Sequence, residues 1–60
     1  MKKPSPQFVQ DFNLVLTHYE VTAEEAKYEK QRVMANMAEA ERCYSVIAAG
    51  IRSLNNALHD

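Results

Sequence analysis

The 60-residue sequence is poor in cysteine, glycine, proline and tryptophan, with one, one, two and none of each. Its single cysteine, Cys43, excludes a disulfide within the chain and the multi-cysteine zinc patterns. Few glycines and prolines, beside plentiful alanine and glutamate, favour helices over sheets. We therefore expect an all-α protein, and the lone cysteine is typical of a reducing compartment such as the cytoplasm.

An excess of charge of one sign and a long apolar run are also lacking. Seven basic and eight acidic side chains give a formal net charge of −1, so no dominant field attracts nucleic-acid phosphates or an anionic membrane. The longest apolar run covers residues 46–49, far short of the ~20 residues that span a bilayer. With no export signal at the N-terminus, we expect one cytoplasmic domain over residues 1–60, without a membrane partner, and nucleic-acid binding is disfavoured.

Two capping patterns predict where helices begin. Ser5 before Pro6 is a typical N-cap followed by proline at the first helical position. Thr22, three residues before Glu25, has the form of a capping box. The first helix is predicted over about residues 6–19 and the second from residue 23. One face of the first helix is apolar, at offsets 0, 4, 7, 8 and 11: Phe8, Phe12, Val15, Leu16 and Tyr19.

The second predicted helix carries a heptad pattern. Alternating steps of four and three residues give Ala26, Lys30, Val33, Met37, Ala40, Tyr44, Ile47, Ile51, Leu54 and Leu58. Such a stripe is typical of a helix in a coiled coil or bundle. No proline follows Thr22 and only Gly50 weakens the run, so we predict one long helix to about residue 58. The two helices form a predicted hairpin, with an intrachain core of Phe8, Phe12, Val15, Leu16, Tyr19, Val33 and Met37.

The predicted hairpin leaves the C-terminal half of its long helix uncovered. A first helix of ~14 residues spans ~21 Å, whereas a second of ~36 residues spans ~54 Å. Each large apolar side chain gains roughly 1.5–3 kcal/mol on burial. We therefore expect a homodimer, as a four-helix bundle or a coiled coil, whose interface consists of Tyr44, Ile47, Ile51, Leu54 and Leu58.

Side chains capable of catalysis or metal binding are few. His18, His59 and Cys43 do not stand at the three- or four-residue spacing of helix-borne metal sites. Cys43 falls beside the heptad stripe, where it is either a small hydrophobic residue at the edge of a core or a partner for the same cysteine of a second chain. We predict no metal site, no cofactor and no catalytic residue, and interpret the protein as a non-enzyme.

These features favour a protein–protein interaction module that is homodimeric through its long helix and modulates a larger partner. One alternative is a subunit or chaperone whose C-terminal helix pairs with a different chain, and another is a small dimeric nucleic-acid-binding regulator. In length, near-neutral charge and helical-hairpin pattern, the chain is similar to accessory proteins of the early regions of temperate phages and prophages. That similarity, which involves no specific residue, would imply a modulator that binds a host or phage protein.

Overall fold

The computed structural model describes residues 3–59, which form three helices. These are α1 (Pro6–His18), α2 (Ala23–Ala35) and α3 (Met37–His59). No strand occurs within the described residues, so the prediction of an all-α protein is confirmed. Met1, Lys2 and Asp60, at the ends of the domain predicted over residues 1–60, lie outside the described residues.

Both predicted N-caps are formed. The Ser5 hydroxyl accepts a hydrogen bond from the Phe8 N–H at 3.1 Å, with Pro6 as the first residue of α1. At α2, the Thr22 hydroxyl accepts from the Glu25 N–H at 3.2 Å, and the Glu25 carboxylate accepts from the Thr22 N–H at 3.3 Å. This reciprocal pair is the predicted capping box, and it satisfies two backbone donors that a helix start leaves unpaired.

Helix α1 ends in a tight backbone turn at Glu20, whose φ is 54°. The Glu20 N–H donates to the Thr17 carbonyl at 3.1 Å, and the Val21 N–H donates to the Leu16 carbonyl at 3.0 Å. These two bonds form a Schellman motif, which satisfies the last carbonyls of a helix by placing one residue in the left-handed region. The chain therefore turns from α1 into α2 without a glycine.

The prediction of one helix from residue 23 to about 58 is wrong, because the chain breaks at Asn36, with φ −148° and ψ 76°. The Asn36 side chain bridges the start of α3. Its Oδ1 accepts from the Glu39 N–H at 3.4 Å and its Nδ2 donates to the Glu39 carboxylate at 3.0 Å. Gly50, the predicted weak point, lies within continuous helix.

The core forms where α1 packs against α3 on the inner side of this bend. Helix α1 lies mainly against α3 and makes few contacts with α2, so the predicted packing of α1 along the first half of the heptad stripe is limited to Val33 and Met37, which pack in and against the core. Four half-buried side chains, Leu14, Leu16, Met37 and Ala40, surround the core. Its buried apolar residues are Phe8, Phe12, Val15, Val33, Tyr44, Ala48 and Ile51.

Candidate interaction surface

Tyr44 joins all three helices from inside the bend. Its ring centroid lies 5.7 Å from that of Phe8 and 5.1 Å from that of Phe12, both on α1. Its hydroxyl donates to the Glu29 carboxylate of α2 at 2.9 Å. Burial, followed by the hydrogen bond to Glu29 and the negative charge of Glu29, raises the pKa of Tyr44 to about 12. Because the ring and hydroxyl are both engaged within one chain, Tyr44 is fixed as a core residue.

A partly buried ion pair joins α1 to the C-terminal half of α3. Asp11 is only 3% exposed, and its Oδ1 accepts from the Arg52 guanidinium at 2.7 Å and from the Gln7 amide at 2.9 Å. Asp11 and Arg52 are 41 positions apart in the sequence. The pair, together with the core residues of α3, sets how α3 is rotated about its axis, because Arg52 points toward α1.

With that rotation fixed, α3 has a second apolar side that points away from the core. Among its large side chains, Val46 is 74% exposed, Ile47 38%, Leu54 50% and Leu58 75%. Small exposed residues lie between them along the helix. At ~100° per residue, these positions lie within an arc of ~120° on one side of the helix. We call this surface the outer face: Cys43, Val46, Ile47, Gly50, Leu54, Ala57 and Leu58.

The predicted interface residues divide between the two sides of α3. Tyr44 and Ile51 are 8% and 5% exposed within the intrachain core, so their burial requires no second chain. Ile47, Leu54 and Leu58 remain on the outer face. What looks like one stripe in the sequence therefore belongs to two surfaces.

The sequence prediction omitted four members of the outer face, Cys43, Val46, Gly50 and Ala57, although a signal for three of them exists. Residues 43, 47, 50, 54 and 57 follow the same alternation of four and three as the predicted stripe, shifted by three positions along the chain. Both registers contain Ile47 and Leu54. Cys43, Gly50 and Ala57 are small, however, and a search for large apolar residues passes over them.

The residues predicted for the intrachain core also occupy different environments. Phe8, Phe12, Val15 and Val33 are buried, and Leu16 and Met37 are half-buried against them. Tyr19 is 63% exposed and follows the last residue of α1 as its C-cap. Its ring lies 5.0 Å from that of His18, outside the core.

The outer face carries no charge, and its glycine has no role in the packing of its own chain. Between residues 43 and 58 the only charged side chain is Arg52, which is bound to Asp11. A Cβ added at Gly50 would meet no atom within 4 Å. Glycine inside a helix costs about 1 kcal/mol relative to alanine. Among the described residues, none approaches Gly50 so closely that a side chain would be excluded, so the packing of the chain itself does not offset that cost.

The rest of the described surface offers few side chains that could bind a metal or react. Within residues 3–59, no three histidine, cysteine or acidic side chains converge on a possible metal position. The Cys43 thiol is free and exposed. Across the same residues, no helix combines the length and apolar character needed to cross a membrane.

A separate apolar hollow lies between α1, α2 and the start of α3, and polar side chains interrupt it. Val9 and Met34 line it and are 44% and 69% exposed. Asn13 and Lys30 also line the hollow. The outer face of α3, by contrast, has no charged member among its seven described residues.

Comparisons with protein-family models, with curated proteins and with solved structures gave no match. The function must therefore be inferred from the outer face itself.

Proposed function

We propose that the chain is a non-enzymatic protein–protein interaction module that associates with a second copy of itself through the outer face of α3. The supporting observation is a continuous, uncharged apolar face on a helix whose neighbouring side is already buried by its own chain. Helix pairing through such a face is a common way to form a twofold dimer.

The exposed apolar surface of the outer face is large enough to stabilise only a weak dimer. The exposed parts of Val46, Ile47, Leu54 and Leu58 amount to roughly two complete apolar side chains per molecule. Burying them in both molecules would gain about 10 kcal/mol. Association itself costs at least ~4 kcal/mol in lost freedom of motion. At most about 6 kcal/mol remains, equivalent to a dissociation constant no tighter than tens of micromolar.

Charge favours a second copy as the occupant of the outer face. A charged partner would find no ion-pair partner within the outer face, because the one charge between residues 43 and 58 belongs to Arg52, which is engaged with Asp11, and Arg42 lies only at the N-terminal edge of the face. A second copy brings an equally uncharged face, so two outer faces meet without repulsion or buried unpaired charge.

Sedimentation of the pure protein between about 10 and about 500 µM, a range that brackets the expected dissociation constant, tests the proposal. We expect a reversible monomer–dimer equilibrium. Leu54→Asp should abolish the dimer while the far-UV circular dichroism and cooperative unfolding persist, because Leu54 is half exposed and outside the core. Asn56→Asp, which places the same charge on the opposite side of the same turn, should leave the dimer intact.

A protein that stays monomeric over this range would contradict self-association and favour a different chain as the partner of α3. Dimerisation of Leu54→Asp at the wild-type affinity would also contradict the proposal, because the dimer would then use another surface. Ile51→Asp is unsuitable for this test, since Ile51 lies in the core of each chain and its replacement would unfold the monomer.

A further inference from the structure

Resting on the proposed self-association, we infer that two copies pair through antiparallel α3 helices that cross at Gly50. Three features of the outer face and its surroundings support this antiparallel arrangement. They are the order of small and large residues along α3, the position of Arg42, and the length of α3 beyond the core.

The outer face is nearly self-complementary when one copy is reversed about Gly50. Cys43 then lies opposite Ala57 of the partner subunit, and Ala57 lies opposite the partner's Cys43. Val46 lies opposite Leu54 of the partner subunit, and by symmetry each of these contacts occurs twice. The small layers at Gly50 and at Cys43–Ala57 thus alternate with the Val46–Leu54 layers on both sides of the crossing point, while Ile47 lies opposite Ser53 of the partner subunit, and this order permits close packing along the contact.

The crossing point also supplies a reason for the glycine. A side chain at position 50 would find no neighbour within 4 Å of its Cβ in its own chain, and the Gly50 backbone is ordinary helix without positive φ. A helix that lacks a side chain at its closest contact allows the partner's backbone to approach further. At the centre of the dimer Gly50 would face Gly50 of the partner subunit.

Charge distinguishes the antiparallel from the parallel arrangement. Arg42 borders the outer face at its N-terminal end, where it lines one hollow with Cys43, Val46 and Ile47. In the antiparallel pair it reaches the level of Leu58 of the partner subunit, in the last turn of the partner's α3. Cations are favourable there, because the unpaired carbonyls give a helix C-terminus a partial negative charge. A parallel pair would instead place two Arg42 guanidinium groups side by side.

The length of α3 beyond the core favours the same arrangement. The last buried residue of α3 is Ile51, and every residue from 52 to 59 is exposed. In the antiparallel pair this projecting end lies over the first part of the partner's α3, which is backed by a folded core. In a parallel pair the two projecting ends would contact only each other.

The single native cysteine allows a direct test by disulfide cross-linking of the full chain. In the antiparallel pair the two Cys43 residues are ~21 Å apart along the helix axes, whereas a disulfide requires Cα atoms about 4.4–6.8 Å apart. The wild-type dimer should therefore not cross-link under mild oxidation. Ala57→Cys should give a disulfide-linked dimer, because the new thiol faces Cys43 of the partner subunit.

Two control variants make the assignment specific. Asn56→Cys, whose thiol is rotated ~100° about the helix axis from that of Ala57→Cys and lies off the outer face, should cross-link several-fold less than Ala57→Cys. Adding Cys43→Ser to Ala57→Cys should remove the cross-link, because the two introduced thiols are as far apart as the native ones. Circular dichroism and sedimentation of each reduced variant check that fold and dimer are retained.

The outcomes separate this inference from the proposed function. Rapid cross-linking of the wild-type dimer through Cys43 would indicate parallel helices, and would overturn the antiparallel geometry while self-association stands. A reduced Ala57→Cys dimer that does not cross-link would overturn it as well. A wild-type protein that sediments as a monomer would overturn the proposed function, and the antiparallel pairing with it.

Discussion

Replacing Arg52 with methionine tests whether the ion pair with Asp11 holds α1 against α3. Methionine keeps much of the aliphatic length of the side chain and removes its charge. The Asp11 carboxylate, 3% exposed, would lose the guanidinium at 2.7 Å and keep only the Gln7 amide at 2.9 Å. The variant therefore leaves a buried negative charge with one neutral hydrogen-bond donor.

The expected loss of stability follows from how far each partner is buried. Removing one member of a fully buried ion pair costs about 3–5 kcal/mol. The Arg52 side chain is 44% exposed, so water already screens part of the interaction, and we expect a decrease of about 2 kcal/mol in the free energy of unfolding. In a domain of this size such a decrease lowers the melting temperature by about 10 °C.

Urea unfolding, followed by circular dichroism, measures this loss. The measurement is made in the Leu54→Asp background, so that dimerisation does not contribute to the free energy of unfolding. Arg52 points away from the outer face, so the two substitutions lie on different sides of α3. Combining Arg52→Met with Asp11→Asn completes a double-mutant cycle, in which we expect a coupling energy of about 1–2 kcal/mol. An Arg52→Met variant within about 0.5 kcal/mol of its parent, the usual range for surface changes, would refute the role of this pair.

Two further predictions concern the bend and the crossing point. Tyr44→Phe keeps the ring packing but removes the bond to Glu29 at 2.9 Å, so urea unfolding should show a loss of about 1 kcal/mol. Because folding raises the pKa of Tyr44 from 10.0 to about 12, its contribution is complete below pH 10 and is lost as the pH rises toward 12. That alkaline loss should be smaller in Tyr44→Phe, and an unchanged pH profile would contradict the assignment. Gly50→Ala should stabilise the monomeric Leu54→Asp chain by about 1 kcal/mol, yet weaken the dimer of the otherwise wild-type chain in sedimentation. Undiminished dimerisation would place the crossing point elsewhere.

The helix starts were predictable because the interactions that form them are local. Ser5 bonds to the N–H of Phe8, and Thr22 and Glu25 bond to each other. Each partner lies three residues away, so sequence spacing alone brings the atoms together. The all-α class follows from composition for the same reason, since helix propensity acts residue by residue.

The break at Asn36 had a local signal that the heptad pattern concealed. Asn36 and Glu39 repeat the spacing of Thr22 and Glu25, but apolar residues continue in phase on both sides. A continuous helix and a bent one satisfy the same spacing. The bent form is the one that brings Tyr44 against Phe8 and Phe12 and within reach of Glu29, and such contacts exist only after the helices have packed.

The sequence by itself determined that this chain is helical, where α1 and α2 begin, and that its C-terminal part carries more apolar residues than one helix face needs. Only the tertiary structure decided which of them are covered. Asp11, a polar residue off the apolar face of α1, is buried because Arg52 lies against it from 41 positions away. That contact helps set the rotation of α3, which turns Ile51 inward and leaves Leu54 on the outer face. Heptad spacing reports which residues share a side of a helix, whereas the rotation of the helix depends on partners that are distant in sequence.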